Sequence, residues 1–238
     1  MSPPEGSTPL AILVGIGRAT VSPRRRRKSR SSKSSRRDLD PYFAYLIFVG
    51  VGLGSLQVDT EVRLALLWST LLALSLIYAG GKPVAARYSL ANLGRGAMVG
   101  FIISLPFLLA ARGVLNESSA RLFPMPSQAA LFQALTFVSA PVEELYFRGV
   151  LQRERGLLSA AVLYGLAGAV FFLPVFRGLA LILLAVVLSM GLLGFVYGYV
   201  CNQYGLGASI ACHAVVNLVL LFLPPVLERL GQGLTVIV

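Results

Sequence analysis

The chain has 238 residues, 56% of them hydrophobic and 13% charged, with a mean hydropathy of +0.75. A soluble domain carries about 25% charged residues, so most of this sequence belongs in a bilayer and the soluble-enzyme classes are excluded. The 21 Lys and Arg against 10 acids leave a net charge of +11. Two cysteines, Cys201 and Cys212, lie in apolar sequence and make no disulfide framework; one histidine and no CxxC pair exclude a zinc finger.

Residues 1–40, rich in Ser, Pro and Arg, read as a disordered basic arm. Its apolar patch, LAILVGIG, precedes the positive charges, the reverse of a secretory signal. The run RRRRKSRSSKSSRR (Arg24–Arg37) is expected to hold the cytoplasmic face through anionic lipid headgroups. Aromatic residues are not interleaved with those arginines, so no nucleic acid is expected as a partner.

A spanning helix needs ~20 mainly apolar residues. Seven stretches qualify: Pro41–Val58, Val62–Ala79, Gly94–Leu115, Gln128–Gln152, Gly156–Phe176, Gly178–Cys201 and Gly205–Pro224. The predicted fold class is therefore all-α, a polytopic membrane bundle of about seven helices. Gly-rich segments such as GLAGAV and MGLLGFVYGY suit close helix packing in lipid. The organisation expected is an arm (1–40), accessory helices (41–126), a catalytic-core set (127–225) and a short tail (226–238).

The heavier positive charge of the arm, Lys82, Arg87, Arg95, Arg153 and Arg155 predicts a cytoplasmic N-terminus and an external C-terminus. Arg63, Arg112, Arg121, Arg177 and Arg229 are counted among the outside links. The protein is expected in a prokaryotic cytoplasmic membrane.

The stretch SAPVEELYFRGVLQRE places Glu143, Glu144 and Arg148 inside an apolar segment, where a charge costs ~2.5–3.5 kcal/mol on insertion scales. Glu144 and Arg148 are i and i+4 on one helix face and can pair. Glu143 is rotated about 100° from them and has no such local partner; a carboxyl of this kind holds water, as a general base must. In ACHAVVN, His213 and Asn217 are again i and i+4, and their side chains can donate to a developing oxyanion. Glu143 lies about 14 Å and His213 about 12 Å from the same helix ends, at ~1.5 Å per residue, so the two groups are expected at one depth, within reach of the cytoplasm.

These residues resemble the CPBP family, the CAAX-protease and bacteriocin-processing group of intramembrane proteases. That family carries Glu-Glu-x-x-x-Arg, then Phe-x-x-x-His, then His-x-x-x-Asn, seen here as EELYFR and HAVVN over roughly Gln128–Leu223. The resemblance implies an endopeptidase cutting near the membrane end of a membrane-anchored or lipidated protein or peptide. Glu143 would be the general base, Glu144 and Arg148 a supporting pair, and His213 and Asn217 the oxyanion hole, with no cofactor and no metal. The middle histidine, which in the family helps activate the water, is absent. Its place is taken by Gly168 if YGLAG is the second motif, or by Phe176 if FLPVF is. That departure leaves open a non-catalytic relative acting as an immunity, receptor or assembly factor. A small transporter is disfavoured, because no repeat symmetry or paired broken helices are present.

Overall fold

The computed structural model describes residues 40–80 and 89–227, and their regular structure is helical. Seven continuous helices result: α1 (Pro41–Gly54), α2 (Thr60–Ala79), α3 (Leu90–Leu122), α4 (128–155), α5 (Leu157–Phe172), α6 (Ala180–Tyr204) and α7 (Leu206–Leu227). By length and composition α2, the first part of α3, α6 and α7 can each cross a membrane, and the fold is a helical membrane bundle. The basic arm, Lys82, Arg87 and Arg229 lie outside the described residues, as does most of the C-terminal tail.

Local chemistry sets several of the helix ends. Asp40 caps α1 by accepting from the Tyr42 backbone N–H at 2.8 Å, with Pro41 in the first turn, where its missing N–H costs nothing. Ser127 starts α4 by accepting from Ala130 N–H at 3.1 Å. Single glycines join α4 to α5 and α6 to α7: Gly156 (φ 85°) and Gly205 (φ 93°) take backbone angles that L side chains rarely adopt. These one-residue reversals lie at the same end of the bundle and fold the two motif-bearing halves into hairpins.

Packing is tightest where glycines let backbones meet, since lipid gives no hydrophobic drive between helices. A Cβ on Gly96 would lie 2.0 Å from the Ala208 carbonyl oxygen, and one on Gly100 would lie 2.5 Å from that of Cys212. The i, i+4 pair on α3 thus beds against an i, i+4 pair on α7. Gly165 of α5 meets Gly191 and Val187 of α6, and Gly194 meets Tyr164, as the Gly-rich segments predicted.

Two expectations are corrected. The first apolar stretch is helical only to Gly54, where the Ser55 N–H turns back to Val51 O. At 14 residues α1 is about 21 Å long. Arg63, counted among the outside charges, is buried in α2 with 1% of its surface exposed. It donates to Phe171 O (2.6 Å), Gly52 O (3.0 Å) and Val170 O, carbonyls of the last turns of α5 and α1. Helix C-termini leave such carbonyls without backbone donors and carry partial negative charge, which explains a buried cation with no carboxylate partner among the described residues.

Candidate active site

Helix α4 carries the first motif and is not a uniform α-helix. Its turns at Ala134–Ser139 and Leu145–Leu151 are π-type (i→i+5), flanking the α-helical Ala140–Glu144. Helix α7 has the same feature at Leu218–Phe222, just past His213 and Asn217. Such widened turns occur mostly at functional positions, because they re-aim side chains without breaking the helix.

Glu143, Glu144, Arg148 and His213 are all buried, with 5% or less of each exposed. Glu144 is the hub of an ionic cluster. His213 Nδ1 donates to its Oε1 at 3.0 Å, Arg148 Nη1 stands 3.1 Å from the same oxygen, and the Ser209 hydroxyl donates to Oε2. The Arg148–Glu144 contact is a pairing of charge more than an aligned hydrogen bond, since Nη1 finds no well-directed acceptor. Arg148 is further held by Gly194 O at 2.8 Å and by the face of Tyr164, whose centroid is 4.5 Å away. The His213 ring stacks on Tyr197 at 4.6 Å and 16°. With Nδ1 committed to Glu144, Nε2 points toward Glu143 Oε2, 3.9 Å away.

Glu143 is held separately. Oε1 accepts from Trp68 Nε1–H at 3.0 Å and from the Ser139 hydroxyl at 2.8 Å; Oε2 accepts from the Tyr164 hydroxyl at 3.0 Å. This corrects the expectation of a carboxyl without a local partner: Ser139 is one turn back on the same helix. A carboxylate offers about four lone-pair sites. Three are filled, so the remaining one is on Oε2. Asn217 donates from Nδ2 to Leu135 O at 3.2 Å, which leaves its second amide hydrogen uncommitted.

A cavity of about 350 Å³ touches Glu143, Tyr164, His213 and Asn217 and is otherwise lined mainly by apolar side chains. It runs along one stripe of α6 (Ile182, Ala185, Ser189, Met190, Leu193) toward Phe172 of α5, Leu122 of α3 and Leu221 of α7. At the Gly156 and Gly205 end, Gln152 donates to Gly198 O (2.9 Å) and Asn202 Oδ1 (2.8 Å).

The two readings of the second motif separate. Gly168 is on α5 one turn beyond Tyr164, whereas Phe176 lies past the helix end at Phe172. A Cβ at position 168 would lie 2.5 Å from the Met190 sulfur. The space beside Gly168 is thus filled by a thioether from α6. The sequence reading missed Trp68, Ser139, Ser209 and Tyr197. Ser139 and Ser209 were findable, since each sits four residues before an ionisable residue; Trp68 is 75 residues from Glu143 and carried no local signal.

Fold and composition define an integral membrane protein built as a helical bundle. Residues 125–219 match the family model described as Rce1-like, type II CAAX prenyl endopeptidase. No curated protein and no solved structure matched the chain. The likeness to that family covers residues 125–219 of the 238. The family's kind of function is CAAX-type intramembrane proteolysis, and the family acts on prenylated, membrane-anchored protein substrates.

Proposed function

We propose that the chain is a glutamic-type intramembrane endopeptidase in which Glu143 is the general base and His213 and Asn217 form the oxyanion hole. The observation that carries this reading is the approach of Glu143 Oε2 to His213 Nε2, 3.9 Å apart on one cavity wall although they come from α4 and α7. The remaining acceptor site of Oε2 takes a water. As the water oxygen bonds to the peptide carbonyl carbon, its proton passes to Oε2. The oxygen of that carbonyl gains charge and receives N–H donors from His213 Nε2 and Asn217 Nδ2. Glu143 then returns the proton to the leaving nitrogen as the C–N bond breaks. For Nε2 to donate while Nδ1 donates to Glu144, His213 is an imidazolium. Two carboxylates and two cations then balance within the cluster, as buried charges require.

The test is cleavage of an internally quenched, farnesylated peptide library by protein reconstituted in vesicles. Glu143→Ala is expected to lower the rate at least about a hundredfold. Equal product from variant and parent rejects the assignment.

A second reading rests on one observation, the thioether of Met190 beside Gly168 where the family motif has an imidazole. It makes the protein a non-catalytic relative that holds a membrane tail without cutting it. On that reading no library member is cut, and Glu143→Gln retains tail binding.

A further inference from the structure

We propose that Tyr164 is a positioning residue for Glu143, its hydroxyl taking over the support that Gly168 cannot give. The inference rests on the endopeptidase reading for its consequence in rate, but its geometry stands independently. Relative to the family's Phe-x-x-x-His, YGLAG differs at both ends: a hydroxyl is gained at Tyr164 and an imidazole is lost at Gly168, one helical turn away. The gained hydroxyl lies 3.0 Å from Glu143 Oε2 and 3.4 Å from His213 Nε2. It is the sole side-chain group within hydrogen-bond distance of both, among the described residues.

The ring that carries it has little freedom. It stacks under the Arg148 guanidinium (4.5 Å) and meets Phe147 edge-on at 5.0 Å. The hydroxyl is therefore pinned to within a rotation about its own C–O bond. Donating to Oε2, it fills one lone pair there and directs the other toward the cavity, where a water would sit beside His213. Before substrate binds, its own lone pair accepts from the Nε2–H of a charged His213; the substrate oxygen then takes over that single donor. In the resting site a continuous chain results, from Glu143 through Tyr164 and His213 to Glu144 and Arg148, which holds Oε2 and the oxyanion donor in register. The charged and titratable groups facing Glu143 and Tyr164 are Glu144 and Arg148 on α4, Tyr197 on α6 and His213 on α7.

The experiment uses the full chain in vesicles and its single tryptophan. Trp68 donates directly to Glu143, so its emission reports the ionisation of that carboxyl. Tyr164→Phe keeps the ring, the stacking and the packing and removes only the hydroxyl. The emission of the parent titrates with pH, Glu143→Gln abolishes that titration, and Tyr164→Phe displaces its midpoint. With a cleavable farnesylated peptide, Tyr164→Phe lowers kcat about tenfold to a hundredfold and leaves KM within about twofold. An unmoved midpoint overturns the proposal, even where kcat falls, because the loss is then structural. A displaced midpoint with unchanged kcat on a cleaved peptide overturns it too. Full activity in Glu143→Gln would instead refute the endopeptidase reading, and the fluorescence titration would still decide the Tyr164–Glu143 link.

Discussion

Replacing Arg63 by Leu tests how a buried cation with no carboxylate beside it stabilises this bundle. Arg63 serves three carbonyls, and two of them, Val170 O and Phe171 O, belong to the last turn of α5. The backbone donors just beyond that turn go elsewhere, with Leu173 N–H bonded to Ala169 O and Val175 and Phe176 N–H both bonded to Phe172 O. Gly52 O keeps a second donor in the Ser55 hydroxyl at 3.3 Å. The substitution therefore orphans two buried carbonyls, at about 1–3 kcal/mol each. The desolvation penalty of the charge is relieved at the same time, which brings the net loss to about 2–4 kcal/mol. At about 2–4 °C per kcal/mol for a chain of this size, the apparent Tm should fall by roughly 4–16 °C. Thermal unfolding of detergent-purified parent and variant, followed by the far-UV signal, measures it. Because α5 carries Tyr164, catalytic rate should fall with it. A Tm within about 1 °C of the parent would refute the reasoning.

Three further outcomes follow from the same geometry. Arg148→Met leaves Glu144 buried without its cation and should cost about 3–5 kcal/mol; adding Glu144→Gln should recover part of that loss in the same thermal assay, and an additive double variant would deny the coupling. Gly96→Ala, forced against the Ala208 carbonyl, should cost about 1–3 kcal/mol, whereas Gly50→Ala, with nothing within 4 Å of its new methyl, should stay within about 0.5 kcal/mol. For orientation, a cysteine introduced at Gly178 in a Cys201→Ser background should be labelled on intact cells by an impermeant maleimide. Labelling only after lysis would reverse the topology.

Much of this architecture was legible because lipid-facing helices announce themselves by unbroken apolar runs. The stretch Gly178–Cys201 became Ala180–Tyr204, and Gly205–Pro224 became Leu206–Leu227. Hydropathy could not say that the first helix stops at Gly54, because residues such as Leu56 and Val58 are apolar whether helical or not. The motif residues were legible too, since an ionisable group in apolar sequence has few reasons to be there. The i, i+4 rule paired Glu144 with Arg148 correctly. The partners of Glu143 from other helices were hidden: Trp68 carried no local signal, and Tyr164 was read only as the first residue of the candidate second motif YGLAG. Depth along a helix can be counted from the sequence, but the bond from Gln152 to Asn202 depends on how α4 and α6 lie side by side.

The widened turns in α4 have a mechanical corollary. Each accommodates a residue more than an α turn would, so relaxing the one at Leu145–Leu151 to regular α would twist everything beyond it by roughly 100°. Glu143 and Glu144 stand before that turn and Arg148 within it, so the angular offset between the acids and their guanidinium depends on it. A one-residue deletion there, harmless to hydrophobicity and to overall length, should decouple the two halves of the motif as effectively as replacing Arg148.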